Sequence, residues 1–209
     1  MDKKIIIGTI VFIVIIAGYF LFFQTPPTVE DDVTVVFEEF DEFWSDREMV
    51  IGEDLFLSSD KFSNMSKSEL VKLKTDVLNF KSSQDDSVVK ETLDLQFEMI
   101  TYVILANEFT ELSNKRKEVV EANLAANVPD SAYCTLLPTF KAIAEKARKL
   151  AVVGPSLMQN LISFSEKYSG LNYKFSLSDE AANLKYPDER FILEIESDIL
   201  ALEDDFCRE

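Results

Sequence analysis

The feature that most constrains this chain is an uncharged run from Ile5 to Phe23. At about 1.5 Å per residue, a helix over this run is about 28 Å long, close to the thickness of the hydrocarbon core of a bilayer. Lys3 and Lys4 precede the run, whereas residues 30–32 are all acidic. Because basic flanks stay in the cytoplasm, this asymmetry predicts a single-pass signal anchor whose C-terminal side is extracytoplasmic.

Three other interpretations of the run stay open: a cleaved signal peptide, a buried core helix, and a pilin-type leader cut near Gly8 and Thr9. A cleavable signal ends in small residues, whereas this run ends in bulky residues from Tyr19 to Phe23. The uncleaved anchor is therefore the favoured interpretation.

The predicted anchor divides the chain into four parts. Residues 1–4 form a cytoplasmic N-terminus, residues 5–23 cross the lipid bilayer, and residues 24–32 form a linker stiffened by two prolines. Residues 33–209 then form an extracytoplasmic domain at the cell membrane.

The charge of the chain restricts its partners. It has 38 acidic and 21 basic residues, a formal net charge of -17. Nucleic-acid binding gains most of its affinity from Lys and Arg that displace counterions, so no nucleic-acid partner is expected.

The pattern of the outer chain predicts an all-α fold. Glycine is scarce, with five residues, and apolar residues recur every three or four positions. Such a pattern favours an antiparallel helical bundle of four to five helices. The helical segments are predicted at about residues 33–48, 66–80, 85–127, 134–170 and 187–207.

The fourth segment carries a heptad pattern that is typical of coiled-coil packing. One core position holds Phe140, Ala147, Gly154, Leu161 and Tyr168, and the other holds Ile143, Leu150, Leu157 and Phe164. This seam is predicted to pack on the long third helix as an antiparallel hairpin, with a bend at Gly154 and Pro155.

The third segment is apolar on most of its circumference between Leu93 and Phe109, which predicts that other helices surround it. Its polar residues share one narrow stripe, predicted to be the solvated edge of the helix. The alternative is a carboxylate site for a divalent cation or for acid and base catalysis. The stripe consists of Glu91, Asp94, Glu98, Thr101 and Glu108.

The chain has no histidine and two cysteines. These counts exclude Ser-His-Asp and Cys-His catalysis, the HExxH zinc site and His-ligated haem. There is also no glycine-rich loop for a phosphate or a dinucleotide. We therefore predict no catalytic, metal or cofactor-binding residues, no cofactor, and a protein that is not an enzyme.

Two clusters of basic residues contrast with the acidic background. If the hairpin turns near Asp130, both clusters lie at similar height and form a candidate patch for an acidic partner. The favoured alternative is pairing with acidic residues of the same chain. The clusters are Lys115, Arg116 and Lys117, and Lys141, Lys146, Arg148 and Lys149.

The two cysteines are predicted to form a disulfide. The fourth helix begins near Cys134 and the last helix ends at Cys207, so an antiparallel return of the last helix brings them together. An extracytoplasmic location would preserve the bond. The alternative is two separate cysteines, one buried and one at a frayed terminus.

Asn64, Met65 and Ser66 match the acceptor pattern for N-glycosylation, ahead of a predicted capping box. The pattern has meaning only outside the cell and in an organism that glycosylates proteins.

These observations support a membrane-anchored helical module that binds a protein partner or supports an envelope assembly. A ligand-binding or sensor bundle is the second hypothesis. It would signal through a partner, because only residues 1–4 precede the predicted span. An enzyme that uses carboxylates is the third.

Overall fold

The computed structural model describes residues 39–47, 49, 57, 59–126, 129–168 and 184–207. The chain divides into two compact units, Met1–Glu42 and Phe43–Glu209, and the described residues lie almost wholly in the second. The predicted anchor at residues 5–23 and the linker at 24–32 lie outside the described residues. Within the described part, no helix is long and apolar enough to span a bilayer.

The predicted all-α class is confirmed, since the described residues form helices and no strand. Residues 39–45 are helical, residues Asp130–Leu136 form a 3₁₀ turn, and residues Leu202–Phe206 form a π-helical turn. Five further helices lie wholly within the described residues: α1 (Ser59–Phe62), α2 (Lys67–Ser83), α3 (Ser87–Ala126), α4 (Leu137–Lys167) and α5 (Glu189–Ala201).

Side chains that cap the backbone set where these helices begin. The predicted capping box at the start of α2 is confirmed, because the Ser66 hydroxyl accepts from the Glu69 N–H and the Glu69 carboxylate accepts from the Ser66 N–H. The Asp86 carboxylate accepts from Val88 N–H at the start of α3. The Asp188 carboxylate accepts from the Phe191 N–H at the start of α5.

The predicted antiparallel hairpin of α3 and α4 is confirmed. Lys167 near the end of α4 binds Glu91 near the start of α3, and Arg116 near the end of α3 lies 4.2 Å above the ring of Phe140. The heptad residues of α4 are buried, apart from Tyr168, which is partly exposed. The seam read from the sequence is therefore the packing surface of α4.

Helix α2 covers the N-terminal half of α3. It runs antiparallel, because Lys81 near its end pairs with Asp94 and Lys67 at its start pairs with Glu108. The buried face of α2 consists of Leu70, Leu73 and Val77.

Helix α5 returns along α4. Arg148 pairs with Glu196 and Lys141 pairs with Glu203, both at 2.6 Å, so the two helices are antiparallel. On its other side, α5 places Phe191 against Phe109 of α3. Helix α5 thus packs mainly on α4 and contacts α3 through Phe191 and through the ion pair of Arg116 with Asp198.

More residues are buried in α2 than in α5, with three in α2 and one in α5. The last buried residue of α3 is Val103. Residues 104–109 are mostly half-exposed. The prediction that other helices surround the stretch from Leu93 to Phe109 therefore holds only for its first part. Within Glu189–Ala201, only Ile195 is buried. The apolar residues on the same side of the last helix, Ile192, Ile199, Leu202 and Phe206, are partly exposed or exposed.

A buried amide ties Leu57 to α3. The Gln96 side chain is fully buried, accepts from Leu57 N–H at 2.9 Å and donates to Leu57 C=O at 3.0 Å. Both polar ends of this amide are thus satisfied, which removes the cost of burying it.

The glycine inside α4 makes room for an aromatic ring. A Cβ added at Gly154 would lie 2.5 Å from a ring carbon of Tyr186, so this position needs a residue without a side chain. Pro155 lies inside the continuous helix Leu137–Lys167, and the bend there stays a prediction.

We predict that Leu157→Asp destabilises the domain by roughly 3 to 5 kcal/mol, because Leu157 is fully buried in the seam and an unpaired charge there has no partner. The matched control is Val152→Asp on the same helix, where 70% of the side chain is exposed and a change within about 0.5 kcal/mol is expected. Urea unfolding followed by circular dichroism measures both. Equal stability of the two variants would contradict the seam.

Candidate interaction surface

The acidic stripe of α3 is partly solvated, as the sequence predicted, with 40% of the Glu91 side chain and 50% of the Asp94 side chain exposed, but it is not an open edge. Helices α2 and α4 flank it, and each of its carboxylates has a partner on one of them. The pairs are Glu91 with Lys167, Asp94 with Lys81, Glu98 with Asn160, and Glu108 with Lys146 and Lys67. In the described part of the chain, no three His, Cys, Asp or Glu residues are grouped as metal ligands.

Glu108 joins three helices. It accepts from Lys67 of α2 at 2.5 Å and from Lys146 of α4, and 17% of its side chain is exposed. Partial burial opposes ionisation, but the hydrogen bonds from Lys146 and Lys67 outweigh it and lower the pKa of Glu108. The ionised form of Glu108 is therefore stabilised by the fold.

The two basic clusters do lie at similar height, since Arg116 of one contacts Phe140, next to Lys141 of the other. Lys115 is exposed and has no partner among the described residues. The other six have acidic partners, mostly on another helix: Arg116 with Asp198, Lys117 with Glu121, Lys141 with Glu203, Lys146 with Glu108, Arg148 with Glu196, and Lys149 with Glu145.

The most exposed apolar side chains near these clusters lie on the outside of α4 and α5. Val152 is 70% exposed, Leu193 58% and Leu200 61%. Leu193 and Leu200 are two turns apart, so they share one side of α5, away from the buried Ile195. We call this region the outer α4–α5 surface and define it as Lys141, Arg148, Val152, Leu193, Glu196, Leu200 and Glu203.

Apolar and ionic contacts alternate along the outer α4–α5 surface. Val152 and Leu193 each lie about one turn from the Arg148–Glu196 pair, in the same direction along the two antiparallel helices. Leu200 lies on the other side of that pair. Protein interfaces combine an apolar core with a polar, solvated rim, and this surface contains both kinds of group.

A groove of about 500 Å³ lies between α4 and α5. Leu200 and Ile199 form its apolar part, and the Arg148–Glu196 pair lies on its wall. The remaining lining residues are Lys141, Ala144 and Glu145. The groove can accept an apolar side chain from outside, with charged groups around it.

The α5 side of this surface is acidic. One basic residue, Arg190, lies within Glu189–Phe206, and it pairs with Glu194. The acidic residues of the same range are Glu189, Glu194, Glu196, Asp198, Glu203, Asp204 and Asp205. Their field favours a partner with positive charge.

Sequence reasoning missed the apolar part of this surface. Leu193 and Leu200 lie on the polar side of the last helix, and Val152 lies off the heptad seam. The seven-residue spacing of Leu193 and Leu200 was a signal for this surface. The isoleucines on the opposite side of α5 form a more regular pattern, which concealed it.

The structure joins Cys134 and Cys207 in a disulfide, with their Cα atoms 5.4 Å apart. The bond links the 3₁₀ turn before α4 to the end of the π-helical turn after α5. Asn64 is exposed in the turn between α1 and α2.

We predict that Glu108→Gln lowers the free energy of unfolding by roughly 1 kcal/mol near pH 7, since an amide cannot replace the charge that binds two lysines. A lowered pKa contributes stability above the unfolded pKa of about 4.3 and loses it as pH falls through the folded value. The difference between the wild type and Glu108→Gln should therefore shrink below about pH 4.

Urea unfolding at several pH values measures this difference. Glu121→Gln is the control, because its pair with Lys117 is long, at 3.9 Å, and exposed. A deficit of Glu108→Gln that is the same at pH 7 and pH 3, or that Glu121→Gln shares, would contradict the role of Glu108.

Comparisons with known proteins identify no relative of this chain. No family model, no curated protein and no solved structure matches it.

Proposed function

We propose that this chain is a membrane-anchored, extracytoplasmic module that binds another protein through the outer α4–α5 surface. The observation that carries the proposal is the exposure of Val152, Leu193 and Leu200 on two adjacent helices. Single exposed apolar residues are ordinary, but a group of them beside a groove with charged walls provides a contact area for a partner.

The acidic residues and exposed leucines of α5 indicate which kind of partner the surface would bind. A segment with apolar side chains flanked by Lys or Arg would place its apolar groups against Leu193 and Leu200 and its charges against the acidic side of α5. A second copy of this chain is a poor match, because its net charge of -17 would repel an identical surface. We therefore assign the surface to a basic amphipathic segment of a different protein.

The proposed location has separate support. The basic flank and uncharged run at residues 3–23 favour an anchor with the domain outside, and the paired cysteines fit a compartment where disulfides persist. An anchor would hold the outer α4–α5 surface near partners in the same membrane and raise their effective concentration.

A second candidate function is binding of a small apolar ligand. An aromatic groove of about 410 Å³ is lined by Tyr102, Phe109, Tyr186 and Phe191, between α3, α5 and the segment before α5. Its size and composition are typical of small-molecule sites. This groove supports the hypothesis of a ligand-binding bundle.

Site-specific photo-crosslinking in intact membranes tests both candidates. A benzophenone amino acid at position 200 of the full chain should capture one protein, through a peptide that has Lys or Arg beside apolar residues. The same probe at Leu124, which is 66% exposed at the far end of α3, is the control. The yield from position 200 should fall several-fold between about 50 and 500 mM salt, because charge pairing is screened.

An acidic captured peptide, or equal capture from positions 200 and 124, would contradict the protein-binding proposal. A small-molecule adduct from the probe at Ala106, in the aromatic groove, would instead favour the ligand-binding candidate.

A further inference from the structure

Helix α5 has little apolar contact with the rest of the bundle. Its one buried residue, Ile195, forms a small cluster with Ile143 and Ala144, to which Phe109 and Phe191 add partly buried surface. By contrast, α4 buries nine residues, Phe140 to Phe164, over its length. The hydrophobic contribution to the docking of α5 is therefore small.

The ion pairs of α5 add little to this contact. In the Arg148–Glu196 pair, 58% and 34% of the two side chains are exposed, and the Lys141–Glu203 pair is similarly exposed. Solvent and salt screen such pairs, and their net effect on stability is small.

The N-terminal side of α5 is firmly attached. The Tyr102 hydroxyl donates to Lys185 C=O at 2.5 Å and accepts from Lys185 N–H at 3.0 Å. Tyr186 packs on Gly154, and Leu184 is buried. These contacts hold the segment before α5 against both α3 and α4.

The C-terminal side is held differently. None of the residues Leu202–Phe206 is buried, and the ring of Phe206 lies 6.5 Å from that of Tyr133 in a tilted contact. The bond between Cys134 and Cys207 is the covalent attachment at this end. Both cysteines are partly exposed, so a reductant can reach the bond.

We propose that the Cys134–Cys207 disulfide is a redox latch that holds α5 in place, and that a dithiol releases α5 from its C-terminal end. In this reaction a thiolate of the dithiol attacks one cysteine sulfur and forms a mixed disulfide, while the bond between Cys134 and Cys207 breaks and the other cysteine leaves as a thiolate that takes up a proton. The second thiol of the reductant then displaces the remaining cysteine. Two electrons and two protons pass to Cys134 and Cys207, which become thiols, and the dithiol becomes a disulfide.

Release of α5 has two structural consequences. It exposes Ile143, Ala144 and the C-terminal half of α3, and it separates the two helices that form the outer α4–α5 surface. The latch would therefore switch partner binding off under reducing conditions. This consequence rests on the proposed function, whereas the movement of α5 does not.

Hydrogen exchange with mass spectrometry on the full chain in a mild detergent tests the latch without a partner. The reduced sample is treated with dithiothreitol and then with iodoacetamide. We expect exchange in residues 199–206 to become at least about tenfold faster, exchange near residues 189–192 to change less, and exchange in the buried stretch of α3, residues 93–103, to stay the same. Unchanged exchange in α5 would overturn the proposal, and so would equal loss of protection in α3 and α5.

Two further measurements separate this proposal from the proposed function. Without any reductant, the variant Cys134→Ser with Cys207→Ser should reproduce the exchange pattern of the reduced chain, which excludes an effect of the alkyl groups, and a fully protected α5 in it would overturn the latch. Capture from position 200 should be lost in the reduced chain. If α5 opens and capture persists, the latch does not control binding; if the oxidised chain captures nothing, the proposed function fails while the latch stands.

Discussion

The packing of the α4 seam on α3 is the interaction on which the rest of the structure depends. With 40 residues, α3 is about 60 Å long, and no single neighbour covers all of its apolar surface. Helix α4 lies antiparallel along it and buries Leu150, Leu157 and Leu161 in the seam. Helix α2 covers the N-terminal half of α3, and α5 packs mainly on α4 and contacts α3 through Phe191. Both α2 and α5 thus lie antiparallel to a helix of the α3–α4 hairpin.

The part of the bundle around α2 and the part around α5 are stabilised by different contacts. Around α2, apolar burial and the ionic contacts of Glu108 combine with the buried Gln96 amide. Around α5, a small apolar cluster, exposed ion pairs and one disulfide take their place. Elements with few buried contacts open at the lowest free energy. The outer α4–α5 surface therefore lies on the part of the domain that can change most easily.

Sequence patterns predicted the elements and their directions well, but not the contacts between distant residues. The heptads of α4 and the capping box at Ser66 are local signals, and both are present in the structure. The periodicity of α3 placed Glu91 and Glu108 on one stripe, but a stripe does not show which helices flank it, so the partners of these carboxylates had no signal in the sequence. The contact of Tyr186 with Gly154 joins residues 32 positions apart and has no signal in a local pattern. The predicted anchor lies outside the described residues and stays a prediction.

Helix α5 returns along α4, and the disulfide between Cys134 and Cys207 closes it there. The most direct test is the intact mass of the chain purified from membranes without reductant, after free thiols have been alkylated. We expect no added alkyl group before reduction, two after reduction, and a linked pair of peptides that contain Cys134 and Cys207. Two alkyl groups on the unreduced chain would contradict the closure of α5 by this bond.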